Sequence, residues 1–196
     1  WRVGDPPLRG ITMQRRDLLR LLGGTAAITG LSPDQLFGLG REVHRGISLG
    51  ESADFFDTHQ MHTVAAAADR IIPATDTPGA MATECHRFIE RIVADHYDAA
   101  RQRRFIEGLV DLDRRSSAAH RQLFVELDTA EQDAVLTAME DAAYAAKPDG
   151  ADSFWRDLKY LTIYGYYTSE IGIEEELQTN RFPGRFDGCV PVAEAG

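Results

Sequence analysis

The chain holds two cysteines, Cys85 and Cys189, among 196 residues. Two thiols cannot build a disulfide framework or a cysteine-ligated zinc site, and they leave room for one disulfide, internal or to a partner, in an oxidising compartment. Cys-x-x-Cys-His for covalent haem, Gly-x-Ser-x-Gly and a phosphate loop are missing as well. None of the six histidines has a Glu three positions before it. That removes the Glu-x-x-His pair, which sets two ligands on one helical face in di-iron and di-manganese bundles. Long apolar runs are also scarce: past residue 31 nothing approaches the roughly twenty residues that cross a bilayer. Cationic charge is short, with 21 Lys and Arg against 31 Asp and Glu and a formal net charge of −10. Residues 1–31 carry five arginines and two aspartates, a net of +3, so the remainder stands at −13. So acidic a body has no electrostatic means of gripping nucleic acid or anionic lipid.

The N-terminus is the most informative stretch that remains. Met13-Gln14-Arg15-Arg16-Asp17-Leu18-Leu19-Arg20 leads into Leu21 to Leu31, which is weakly apolar and uncharged. That order, a basic pair followed by a hydrophobic region, reads as a twin-arginine export leader with Arg15, Arg16, Leu18 and Leu19 as its signal residues. The other Arg pairs, Arg103-Arg104 and Arg114-Arg115, lie in charged helical sequence and do not fit. The competing reading is an amphipathic N-terminal helix with surface arginines. Residues 1–12 read as lying upstream of a start at Met13. The twin-arginine route carries proteins already folded, so a chain without a cofactor site of its own would export a partner's.

Length and a hydrophobic content of 43% suit one domain with one core. Residues 32–51, Gly-rich with mixed charge, read as a linker. A helical stripe through Phe56, Val64, Ala67, Ala68, Ile71 and Ile72 stops at Pro73. The two prolines of Pro73-Ala74-Thr75-Asp76-Thr77-Pro78-Gly79 mark an irregular, stiffened loop. A second helix is expected from about Ala80, with Cys85, Phe88, Ile89, Ile92 and Val93 on its inner face. A third is capped by Asp98 and breaks near Ser116-Ser117. A fourth opens on a capping box at Asp128/Glu131 or Thr129/Gln132 and runs to Lys147-Pro148-Asp149-Gly150. The last begins near Asp152. The reading is all-α: a single helical body of about five helices over 52–168, followed by an extended aromatic arm over 169–196. The arm has too few helix formers to close a core alone.

Few side chains suggest chemistry. His59 and His62 share a helical face, yet no acid lies between them, so surface or partner-contact histidines are the plainer reading. Glu84-Cys85-His86 offers three ligand types in sequence, but neighbours on a helix point about 100° apart and cannot converge on one ion. Gly38-Leu39-Gly40 begins a dinucleotide-like pattern that Val43 breaks. The cluster Tyr160, Tyr164, Tyr166 and Tyr167 suggests core plus interface before a sugar platform, because Tyr couples apolar area to a polar tip. No nucleophile, acid–base pair or metal cage emerges.

Three blocks resemble the small subunit of membrane-associated flavin sugar dehydrogenases, the gluconate 2-dehydrogenase subunit 3 family. They are the twin-arginine leader, Ala68-Asp69-Arg70-Ile71-Ile72-Pro73-Ala74-Thr75-Asp76-Thr77-Pro78-Gly79-Ala80, and Gly165-Tyr166-Tyr167-Thr168-Ser169-Glu170 through Phe182-Pro183-Gly184 to Gly188-Cys189-Val190-Pro191. The resemblance covers nearly the whole chain from Met13. One departure is Thr83-Glu84-Cys85-His86, more polar than the small apolar stretch expected there. The resemblance implies a non-catalytic subunit, with no cofactor or metal of its own, of a periplasmic complex that can associate with the inner membrane. The implied partner is a large FAD-carrying flavoprotein of the glucose-methanol-choline type that oxidises a sugar or sugar acid, often with a cytochrome c subunit. Tyr164, Tyr166, Tyr167, Phe182, Phe186 and Cys189 are then expected at the partner interface. Cys189 could be buried, pair with Cys85 or bond to the large subunit, and a tether to the partner is favoured. The alternative from another class is a free-standing exported helical protein that binds a metal or ligand.

Overall fold

The segment from Phe154 to Thr168 is apolar or aromatic on nearly every side, and a helix of that kind is stable only when surrounded. It is the centre of the molecule. The computed structural model describes residues 32–146 and 154–177. Six α-helices appear there: α1 Pro33–Ser48, α2 Thr58–Ile71, α3 Cys85–His96, α4 Ala99–His120, α5 Thr129–Ala146 and α6 Phe154–Thr168. A 3₁₀ turn, Phe124–Glu126, precedes α5, a π-helical turn, Gly172–Glu176, follows α6, and no strand occurs among the described residues. Helix α6 packs against all five others. Every residue from Tyr160 to Thr168 is buried.

The helix starts follow from their side chains. Asp57 accepts from the Gln60 amide while the Gln60 side chain accepts from the Asp57 amide, a reciprocal cap for α2. Asp98 caps α4 by accepting from the Arg101 amide at 2.8 Å. Asp128 and Glu131 close the box at α5. Partly buried ion pairs then fix helices to one another. Arg70 of α2 forms a two-pronged pair with Asp133 of α5 at 2.8 and 3.2 Å. Arg101 of α4 does the same with Asp157 of α6 at 2.7 and 3.1 Å while its guanidinium lies 4.0 Å over the Tyr97 ring. Glu90, 3% exposed, accepts from the Phe55 and Phe56 amides and so holds the entry to α2 against α3.

The structure departs from the sequence reading at four places. Residues 33–48, expected as linker, form α1, capped by a Ser32/Gln35 box and burying Leu36, Gly40, Val43 and Ile47. Helix α3 begins at Cys85 rather than near Ala80, because residues 80–84 form turns that end on Glu84 in the left-handed region at φ 52°. Helix α4 passes through Ser116 and Ser117 to His120; Ser116 is buried and its hydroxyl bonds back to the Leu112 carbonyl. Its end is Arg121, left-handed at φ 65°. Finally, the first residues expected in the extended arm are helical, with a π-helical turn over Gly172–Glu176 directly after α6. The masses of Tyr160, Tyr164, Tyr166 and Tyr167 are core to this helix, all buried.

Candidate functional site

The loop after α2 is closed on itself. The Ala80 amide donates to the Ile72 carbonyl at 2.8 Å, and the Thr75 amide to the Thr77 carbonyl at 3.0 Å. Gly79 makes the closure possible: a Cβ there would lie 2.5 Å from the Ala74 nitrogen and 2.7 Å from the Ile72 oxygen. Backbone, unlike a flexible side chain, has nowhere to retreat.

Two bonds fasten this loop to the end of α6. The Tyr166 hydroxyl donates to the Pro78 carbonyl at 2.7 Å, and the Thr77 hydroxyl donates to Glu176 of the π turn at 2.7 Å. Burial, with Glu175 and Glu176 close by, raises the Tyr166 phenol, so it stays a neutral donor. Gly172 permits the π turn, since a Cβ there would strike the Tyr166 carbonyl oxygen at 2.1 Å. The chain leaves the described region at Leu177, one residue beyond the Thr77–Glu176 bond. Loop 73–80 and the π turn at the root of the C-terminal arm are therefore one platform. Pro73, Ala74, Thr75 and Asp76 are exposed at its tip, and Met81 is 49% exposed beside it.

Helix α1 covers the other side of the same α6 segment. Gly40 lies where a Cβ would meet the Thr168 side chain at 2.7 Å. The Tyr164 hydroxyl donates to the Leu36 carbonyl, and the His44 Nε2–H donates to the Gly165 carbonyl at 2.7 Å. The His44 ring also stacks on Phe88, with centroids 4.8 Å apart. Burial lowers the His44 pKa, opposed by the Gly165 bond and by Glu84.

The expected site residues distribute unevenly over this arrangement. Tyr164, Tyr166 and Tyr167 are 0%, 1% and 7% exposed, so they serve this chain's own core and cannot meet a partner in this conformation. The Tyr164 hydroxyl latches α6 to α1, and the Tyr166 hydroxyl latches it to the loop after α2. Burial raises the Tyr167 phenol to about 12. Phe182, Phe186 and Cys189 lie outside the described residues, as do Arg15, Arg16, Leu18 and Leu19. Cys85 is a fully buried free thiol whose Sγ lies 3.0 Å from the Thr83 hydroxyl, and burial pushes it up to about 12. His59 pairs with Asp113 at 2.6 Å, and Asp113 also accepts from the Phe124 amide, so that histidine ties α2 to α4. No group of three metal-ligand side chains occurs among the described residues, and no described helix is long and apolar enough to cross a membrane. Sequence reasoning missed the Thr77–Glu176 latch and the part played by His44; neither residue lies in a pattern that signals its distant partner.

Comparison with known families decides the kinship. The family described as gluconate 2-dehydrogenase subunit 3 matches residues 58–184, which takes in α2 to α6, the closed loop and Phe182-Pro183-Gly184. The chain belongs to the gluconate 2-dehydrogenase subunit 3 family. As its name says, this is the family of a dehydrogenase subunit, so the chain is a component of a sugar dehydrogenase complex. Neither a curated protein nor a solved structure matches the chain. Of the three blocks that carry the subunit 3 resemblance, residues 68–80 and the start of the C-terminal one, at Tyr166, are joined by the Tyr166–Pro78 bond, and the Thr77–Glu176 bond adds a second tie just beyond. Helix α1 lies outside the matched residues, although it packs on α3 and α6.

Proposed function

We propose that this chain is the non-catalytic small subunit of a periplasmic, FAD-dependent dehydrogenase of the glucose-methanol-choline type, acting on a sugar or sugar acid. It escorts the large subunit through twin-arginine export and stabilises it afterwards. The observation that carries this reading is the subunit 3 match over residues 58–184. The leader pattern at Arg15-Arg16 supplies the export half. FAD and catalysis belong to the partner, and a cytochrome c subunit is the expected electron acceptor.

Residues 178–196, with Phe182, Phe186 and Cys189, serve as the grip on the large subunit. Cys85 sits in the core with its thiol engaged, so pairing it with Cys189 would require the core to open. That supports a bond from Cys189 to the partner. Non-reducing electrophoresis of the complex then gives one band at the summed mass, which C189S splits into two. For export, Arg15→Lys with Arg16→Lys is expected to leave dehydrogenase activity in the cytoplasm; normal export of the large subunit without this chain would overturn the escort role.

A further inference from the structure

We propose that the platform formed by loop 73–84 and the π turn is the face on which the large subunit docks, and that the docking patch of that partner is apolar at its centre with a Lys/Arg rim. The inference rests on the subunit reading above and adds to it the place and the chemistry of the contact.

Charge gives the first argument. Residues 73–84 and 169–177 contain Asp76, Glu84, Glu170, Glu174, Glu175 and Glu176 and not one Lys or Arg. Glu84 pairs with Arg87, Glu176 accepts from Thr77 and Asp76 accepts from the Thr75 hydroxyl. Asp76, Glu174 and Glu175 are exposed to solvent whatever bonds they make within the chain. An acidic rim steers a cationic patch into register and speeds encounter. Within the rim, Met81, 49% exposed, stands beside exposed Pro73 and Ala74. Met is well suited to such a place because its flexible, polarisable thioether fits an irregular partner surface.

Rigidity gives the second. A partner pays less to bind a surface that is already ordered, and this loop is closed by the Ala80–Ile72 bond, tied by Tyr166 and latched by Thr77. Continuity gives the third. Residues 178–196 of the arm follow directly on Leu177, next to that latch, so a partner held by them is kept within a few residues' reach of the platform. Linking two contacts in this way raises the effective concentration of the second to about the millimolar range. The remaining 19 residues, 178–196, include Arg181 and Arg185 and could themselves cover an acidic face, as could a second copy of the chain.

The test uses the full chain co-expressed with the flavoprotein subunit that co-purifies with it. Met81→Arg and the triple variant D76N/E174Q/E175Q are compared with Tyr144→Arg, a change at an exposed position on α5. Met81→Arg is expected to weaken complex formation about tenfold or more, and the triple variant to slow association and flatten its salt dependence, while Tyr144→Arg leaves both unchanged. Circular dichroism and the thermal midpoint of each variant confirm that the fold is kept. If the wild-type chain brings down no flavoprotein, the subunit reading itself fails. If the wild type does and both platform variants bind equally well, only the docking face is wrong. Hydrogen exchange on the free wild-type chain covers the other occupants. Protection of residues 73–84 that R181E/R185E abolishes assigns the face to the arm, and protection lost on dilution assigns it to a second copy; either overturns the proposal.

Discussion

At the scale of single residues, glycine reports most directly on what this sequence must satisfy. Gly38 and Gly40 are two positions apart in α1, yet a Cβ at Gly38 meets nothing within 4 Å, whereas one at Gly40 meets Thr168 at 2.7 Å. Gly38→Ala is therefore expected to raise stability by about 0.5–1 kcal/mol, the usual gain of Ala over Gly inside a helix. Gly40→Ala is expected to lower it by about 1–3 kcal/mol by forcing α1 away from α6. Urea midpoints of the two variants check both signs at once. Gly79→Ala is expected to cost a similar 1–3 kcal/mol or so, because its new Cβ collides with backbone rather than a side chain.

Two histidines set an acid limit. Burial holds both His44 and His86 below the ordinary value of 6.5. The unfolded chain then binds more protons than the folded one once the pH drops below about 6.5. Stability is complete above that value, declines as the pH falls through it, and levels off below the folded-state pKa values. The urea midpoint should accordingly drop between about pH 7.5 and 5.5, a range in which the carboxylates scarcely titrate. An unchanged midpoint across that interval would contradict the burial of both rings.

At the scale of elements, what the sequence disclosed depended on whether a signal was local. The caps at Asp57, Asp98 and Asp128 bond within four residues, and each start is readable in the letters. The stripe of α3 is equally plain, since Phe88, Ile89, Ile92 and Val93 are all large and all buried. Helix α1 escaped notice because its stripe, Leu36, Gly40, Val43 and Ile47, has a glycine in one of its four positions and arginines between them. Its Ser32-Pro33-Asp34-Gln35 box was a legible signal outweighed by glycine content. Ser116 misled for a related reason: a serine reads as a breaker until its hydroxyl is seen bonding to Leu112. The tyrosines of α6 were legible as core but not in their partners: the Tyr164 and Tyr166 hydroxyls reach the Leu36 and Pro78 carbonyls, which lie 128 and 88 residues away in the chain. No local pattern encodes such a distance.

Helix α1 packs on both α3 and α6, so its attachment bears on the stability of the body. Gly40→Leu is expected to detach it more fully than Ala does, exposing Tyr164 and the Gly165–Thr168 turn. Faster hydrogen exchange in residues 33–48, with α2 to α5 little changed, would mark α1 as a separately opening unit. Uniform loss of protection across all six helices would show instead that α1 belongs to the cooperative core.

At the scale of the whole molecule, a helical body of the subunit 3 family carries exposed Asp76 and Met81 on loop 73–84 and exposed Glu174 and Glu175 on the π turn tied to it. Within the matched residues these parts form one latch, with Gly79 closing the loop, Tyr166 and Thr77 fastening it, and Glu176 holding the π turn to it. On the proposed reading, this stiff surface beside the C-terminal residues holds another protein, and the substrate would be decided in the pocket of that other chain.

The most direct measurement is the absorption spectrum and sugar-oxidising activity of material purified through this chain from cells expressing both subunits, beside the same chain purified alone. The account predicts a flavin spectrum and activity that travel with the two-chain complex, and a colourless, inactive small subunit by itself. A chain that oxidises sugar alone, or that purifies with a stoichiometric metal and no flavoprotein, would contradict it.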